Sequence, residues 1–283
     1  MNYMRRMEDH FRGYDNIELF YQSWEVDEAR GTIVVTHGQA EHSECYNRLA
    51  ESLATFGWNT IGWDLRGHGR SEGKRGYAGS FADYVKDLKI FSEKIFTNKK
   101  NHPYFLLGHS MGGLINTRAL IDYGDMGFKA ATFSSPALGL AIEVPVIKDM
   151  AAKILNRWTP SLTLNNEVKH EELSHDEEIF KSYDNDPLRH DRISLSVYQG
   201  MLENFDYVML NANKITLPVF LQVAGDDLIA SRKASERFYE RIGSKQKDLK
   251  IYKGFYHEIF NEVDRQTVYN DLNQFLQGQL KTK

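Results

Sequence analysis

At 283 residues, with 41% hydrophobic content and six prolines, the chain is long enough for one large core or two smaller ones. A formal charge of -4 removes any general attraction to nucleic acid, and the single cysteine, Cys45, excludes an internal disulfide and fits a reducing, cytoplasmic compartment. No stretch reaches the roughly 18 to 20 uncharged apolar residues of a membrane span. Arg5, Arg6, Glu8, Asp9 and Arg12 also break up the beginning of the chain where a signal peptide needs an apolar run, so a soluble protein is expected, with peripheral membrane contact left to any local apolar patch.

In chain order, Phe11 to Glu25 reads as an antiparallel hairpin turning at Asp15-Asn16. Short β-rich apolar runs then alternate with helical patterns. Strands are predicted over Thr32 to Thr36, Trp58 to Trp63, Tyr104 to Leu107, Ala130 to Ser134, Val219 to Val223 and Leu249 to Tyr252. Helices are predicted around Tyr46 to Phe56, Phe81 to Phe96, Leu114 to Tyr123, Arg232 to Ile242 and Val263 to Leu280. The alternation predicts an α/β fold, a mostly parallel sheet flanked by helices. From about Ala137 to Ile215 the rhythm stops and no convincing strand is visible, so residues 137–215 read as an insertion between core segments 1–136 and 216–283. The insertion opens on Pro145, followed by Val146, Ile147, Met150, Ala151, Ile154, Leu155 and Trp158 at helical spacing. That stripe is expected to pack on the domain beneath it; the alternative is that part of it lines an acyl-chain site.

Gly108-His109-Ser110-Met111-Gly112 matches G-x-S-x-G, where a serine sits on a tight turn between strand and helix. Gly69-Arg70-Ser71-Glu72-Gly73 has the same spacing, so context decides. Ser110 follows the apolar run Tyr104 to Leu107 and precedes Leu114, Ile115, Ala119 and Leu120 on one helical face, whereas Ser71 follows a polar run and opens no helix. Ser110 is therefore the candidate nucleophile.

A serine hydroxyl needs an imidazole to take its proton and a carboxylate to fix that imidazole's tautomer. In a strand-turn-helix hydrolase the chain order is Ser, acid, His. Six of the ten histidines precede Ser110, and three (His170, His175 and His190) lie between it and the last strands. That leaves His257, on the loop after Leu249 to Tyr252, at the carboxyl edge where open α/β sheets gather reactive groups. The acid comes from Asp226-Asp227 after Val219 to Val223. Either carboxylate could reach the histidine; Asp227, followed by Leu228-Ile229-Ala230, is favoured. Oxyanion donors are expected from the N–H of Met111, directly after the nucleophile, and the N–H of Gln39 in the loop after Thr32 to Thr36. His37 reads as a structural residue at that strand end.

Together His37-Gly38-Gln39-Ala40-Glu41-His42-Ser43, Asp64 to Gly73, the Ser110 elbow, Asn185-Asp186-Pro187-Leu188 and Leu249 to His257 resemble the monoacylglycerol lipase and lysophospholipase group of α/β hydrolases. The resemblance runs in order along nearly the whole chain. It implies an α/β-hydrolase fold with residues 137–215 as a helical cap, and carboxylic-ester hydrolysis with no metal and no organic cofactor. One departure stands out: Gln39-Ala40 occupies a place where that group commonly carries small residues, Ala or Gly and then Gly.

The expected function is that of a serine esterase which releases a fatty acid from a lysophospholipid or monoacylglycerol through an acyl-enzyme. Its rate should rise with pH through the region of about 6.5 typical of histidine. Amide or short-chain ester hydrolysis on the same residues, and a catalytically silent lipid-binding protein of the same fold, are the rivals.

Overall fold

The computed structural model describes residues 4–96, 102–141 and 146–281. Among the described residues ten strands follow one another: β1 (Arg5–Arg12), β2 (Glu18–Glu25), β3 (Thr32–Thr36), β4 (Asn59–Trp63), β5 (Tyr104–His109), β6 (Ala130–Ser134), β7 (Thr163–Asn165), β8 (Arg192–Ser194), β9 (Val219–Ala224) and β10 (Lys247–Tyr252). Eight of them form one sheet in the order β1-β2-β4-β3-β5-β6-β9-β10, while β7 and β8 pair separately and antiparallel. From β4 to β10 every neighbouring pair is parallel; β1 and β2 are joined antiparallel at one edge. The strand order reverses at β3, since β4 lies on one side of it and β5 on the other. Crevices for ligands open at the carboxyl ends of strands flanking such a switch point.

Helices α1 (Asn47–Thr55), α2 (Phe81–Phe96), α3 (Met111–Tyr123), α4 (Val146–Trp158), α5 (Glu177–Tyr183), α6 (Leu195–Asn211), α7 (Arg232–Arg241) and α8 (Arg265–Leu280) complete the chain. The sheet buries both faces, which is why its strands read as continuous apolar runs. Val34 of β3 and Leu106 of β5 join Leu88, Leu114 and Phe238 on one side; Ile33, Val35, Phe105 and Leu107 join Leu49, Leu53, Leu272 and Leu276 on the other. Each such side chain removed from water contributes about 1.5–3 kcal/mol. This two-sided core makes the sheet the rigid base from which the site loops project.

The hairpin begins at Arg5, six residues before its expected start, and turns through Tyr14–Asn16 with Asp15 and Asn16 at positive φ. The early part of β1 gives no strand signal because all its residues but Phe11 are exposed and most are charged or polar, a composition that guards a sheet edge rather than filling a core. The stretch 137–215 is likewise not free of strands, since it holds β7 and β8. At three residues each, they are too short to show alternation. Nor was α6 visible, because its inward face carries Ser196, Gln199 and Asn204 among the apolar residues; Asn204 accepts from Arg118 of α3 at 2.7 Å.

Pro145 lies outside the described residues. The expectation that the α4 stripe packs on the domain beneath is corrected for the side chains the structure describes. Met150, Ile154, Leu155 and Trp158 are 57%, 61%, 45% and 78% exposed, so this face is turned to solvent. No described helix is long and apolar enough to cross a membrane.

Candidate active site

The site grows out of the turn between β5 and α3. Ser110 adopts φ 50, ψ -120, a conformation that projects its side chain from a sharp bend and that L-residues rarely hold. Glycines on either side make the bend possible: a Cβ on Gly108 would stand 2.6 Å from Asn116 Nδ2, and one on Gly112 only 2.1 Å from Thr36 O. The amino end of α3 is thereby pressed against the carboxyl end of β3. Backbone bonds from Ser110 N to Ser134 O (3.1 Å) and from Ala137 N to Ser110 O (2.9 Å) tie the turn to the strand beside it.

Two further loops bring the candidate base and acid to this point. After β9, Asp226 N donates to Phe255 O at 3.0 Å, stitching the acid's loop to the loop after β10 that carries His257. His257 Nε2 lies 2.8 Å from Ser110 Oγ, and His257 Nδ1 lies 2.8 Å from Asp227 Oδ2. The other carboxylate oxygen, Asp227 Oδ1, accepts from Ile229 N at 2.9 Å and Ala230 N at 2.8 Å. Asp226 makes no bond to the imidazole among the described residues, so the structure brings Ser110, His257 and Asp227 together and leaves Asp226 outside. Ser71 is elsewhere: its hydroxyl donates to Asp64 O at 2.6 Å and accepts from Phe20 N at 2.9 Å, bracing the loop over Asp64 to Gly73.

Burial acts against charge on both partners of the imidazole–carboxylate pair, and their mutual attraction outweighs it. The Asp227 carboxyl is held below the ordinary carboxylate range by the His257 charge, their hydrogen bond and the two loop amides. His257 is raised above the usual imidazole value by Asp227, with smaller help from Glu258 and Glu41. His109, packed on His257 with ring centroids 4.9 Å apart, goes the other way: burial and the neighbouring imidazole push it down to about 3. A neutral imidazole therefore sits beside one that ionises readily.

The loop after β3 faces Ser110. A Cβ on Gly38 would come within 3.2 Å of Ser110 Cβ, and Gly38 N donates to Glu41 at 3.0 Å. His37 is wholly buried; its Nε2 accepts from Leu65 N at 3.0 Å and its Nδ1 donates to Gly38 O at 2.7 Å. The N–H groups of Gln39 and Met111 have no acceptor among the described residues. Gln39 and Ser110 line one cavity of about 280 Å³, and Met111 is buried behind it.

That cavity is more polar than the sequence suggested. Glu41, Arg189 and Glu258, none of them singled out beforehand as site residues, lie in its wall. Arg189 reaches in from the 137–215 stretch, stacks over the Tyr183 ring at 3.4 Å and lies 3.6 Å from Glu258, which also accepts from the Tyr183 hydroxyl. Burial and repulsion between the two glutamates raise Glu41; Glu258, drawn down by Arg189 despite its burial, keeps its charge. Glu41 lies inside one of the family-like stretches, Glu258 follows His257 and Arg189 follows Asn185 to Leu188, but nothing in their spacing marks them as partners. None of Met150, Ile154, Leu155 and Trp158 lines this cavity, so the acyl-site alternative for that stripe is not met there.

A family profile described as serine aminopeptidase, S33, matches residues 27–264. Phospholipase YtpA of Bacillus subtilis is 30% identical, over 89% of this chain and 97% of its own. Among solved structures, the monoacylglycerol lipase of Paleococcus ferrophilus superposes with a TM-score of 0.82 at 31% identity, covering 98% of this chain and 99% of that one. A soluble variant of the Saccharomyces cerevisiae monoglyceride lipase, in complex with a substrate analogue, gives 0.86 at 25% identity, covering 97% and 96%.

Proposed function

The chain belongs to the serine aminopeptidase S33 family, has the α/β-hydrolase fold and is a serine hydrolase, and from that premise we propose how it acts and on what. Ser110 is the nucleophile, His257 the general base and Asp227 the residue that orients the base. Ser110 Oγ attacks an ester carbonyl and passes its proton to His257 Nε2; the charged imidazole then gives that proton to the departing alcohol. Water attacks the acyl-enzyme by the reverse relay and releases the acid. The N–H groups of Gln39 and Met111 hold the oxyanion, each such donor being worth roughly 3–4 kcal/mol at the transition state.

The observation that carries this reading is the unbroken run of 2.8 Å contacts from Asp227 through His257 to Ser110. The substrate we assign is a lysophospholipid or monoacylglycerol, supported by the activities named for the similar proteins. The small polar cavity suits a headgroup and the ester, from which an acyl chain would extend. Residues 137–215 serve as a cap over that cavity, to which they contribute Asn166, Tyr183 and Arg189. The exposed apolar face of α4 is where we place transient contact with a lipid surface, on a protein otherwise dissolved in the cytoplasm.

Active-site labelling with a fluorophosphonate tests the chemistry. Modification at Ser110 that disappears in Ser110→Ala is expected, followed by fatty-acid release from lysophospholipid or monoacylglycerol vesicles. A folded sample that takes no label would return the chain to a silent lipid-binding role.

A further inference from the structure

The loop beside the nucleophile is strained and is gripped from above. Ala40 stands at φ 67, in the left-handed region that favours glycine. Its neighbour Gln39 is hydrogen-bonded through both ends of its carboxamide to the 137–215 stretch: Nε2 donates to Arg192 O at 2.6 Å and Oε1 accepts from Asn166 Nδ2 at 2.8 Å. Asn166 directly follows β7 and Arg192 opens β8, so both strands of the small sheet hold one side chain.

The network leaves no freedom in how these amides face. The Arg192 carbonyl can only accept, which turns the Gln39 NH₂ toward it and the Gln39 oxygen toward Asn166. Asn166 must then present its own NH₂, and its Oδ1 is occupied by Val168 N at 3.2 Å. The small sheet is itself seated on the core: Ser194 N donates to Gly76 O at 2.8 Å, and a Cβ on Gly76 would lie 2.1 Å from Arg192 O.

We propose that Gln39 is a positioning residue through which the seating of the β7–β8 pair sets the oxyanion loop. While the pair grips the carboxamide, Ala40 is kept in its strained turn and the Gln39 N–H stays beside Ser110. When the grip is lost, Ala40 relaxes toward negative φ and that donor leaves. The inference rests on reading Ser110 as nucleophile and the Gln39 N–H as an oxyanion donor. It adds that turnover depends on the cap even for an ester too small to need it.

The test compares p-nitrophenyl acetate with a long-chain p-nitrophenyl ester in the full chain. Asn166→Ala, and the isosteric Asn166→Asp that sets acceptor against acceptor, are expected to lower kcat on the acetate about tenfold with KM within about twofold, since an oxyanion donor acts on the transition state. Gln39→Ala should lower kcat at least as far, and adding Asn166→Ala to it should do no further harm, because one linkage is broken either way. Introducing Ala40→Gly into the Asn166→Ala chain should restore part of the lost kcat, a rescue that loss of a mere surface contact would not show. A thermal melt of each variant confirms that it is folded. Wild-type kcat on the acetate in both Asn166 variants, or a defect confined to KM of the long ester, overturns the coupling alone. Absence of both turnover and fluorophosphonate labelling in the unaltered chain overturns the hydrolase reading with it.

Discussion

Replacing Asp227 by asparagine changes one atom and, in this site, should disable the base. The Asp227 carboxylate serves three donors, the amides of Ile229 and Ala230 on Oδ1 and His257 Nδ1 on Oδ2. Asparagine has one accepting atom and one donating group, and its orientation is decided by which neighbours it leaves unpaired. Turning the NH₂ toward the loop would strand two backbone donors at about 1–3 kcal/mol each, whereas turning it toward His257 strands none once the imidazole changes tautomer. The second orientation wins, so Nδ1 becomes an acceptor, the proton moves to Nε2, and Nε2 can no longer take the proton of Ser110. The same rearrangement elsewhere costs about 10⁴ in kcat, roughly 5 kcal/mol of activation free energy. Because Asp227 is also what raises His257, residual activity should titrate at lower pH than in the parent. Steady-state hydrolysis of a soluble ester across pH, with Asp226→Asn as the companion, measures both effects. A loss under tenfold in Asp227→Asn, or an equal loss in Asp226→Asn, would refute the reasoning.

In the unaltered chain the base works only when His257 is neutral, and its value is raised, so kcat/KM should climb with pH to a midpoint above 6.5; a flat profile from pH 5 to 8 contradicts the assignment. Gly112→Ala improves helix propensity yet puts a Cβ 2.1 Å from Thr36 O and 2.5 Å from His37 O. Relieving that contact moves the amino end of α3 by about 1 Å, for which we expect a stability loss of about 1–3 kcal/mol and a roughly hundredfold fall in kcat; a denaturant melt and wild-type kinetics together would show the contact to be soft. On α4, Ile154→Lys with Trp158→Lys should leave unfolding free energy within about 0.5 kcal/mol, since both side chains already meet solvent, while vesicle flotation should fall; a large drop in stability would show that this face is covered.

Much of this was legible in the sequence, for reasons that differ from element to element. β3 and β5 announce themselves because a sheet buried on both sides demands unbroken apolar runs, and α2 because one of its faces packs and the other does not. Ser110 and His257 follow from motif context and chain order, two constraints that hold before any coordinate is known. Between Asp226 and Asp227 the same context favours Asp227 without excluding its neighbour, since both follow the strand; the difference is made in the folded loop, where Asp226 N is tied to Phe255 O and the Asp227 carboxylate meets the imidazole. Neither Arg189 nor Asn166 was singled out: Asn166 matters through Gln39, 127 residues away, and Arg189, although it directly follows Asn185 to Leu188, matters through Glu258 on a loop far along the chain. The α4 stripe shows the opposite failure, in which a clean amphipathic period indicates that a face is apolar without saying what covers it.

The backbone of the turn at Ser110 also restricts what chemistry this scaffold could acquire by substitution. Ser110 is held at φ 50 by the strand and helix that meet there. Threonine offers the same hydroxyl, but a β-branched side chain is a steric outlier at positive φ, so that exchange is closed by geometry although its reactivity would serve. Cysteine, unbranched, fits the same bend. A lineage built on this elbow can therefore exchange oxygen for sulfur more readily than it can gain a single methyl group.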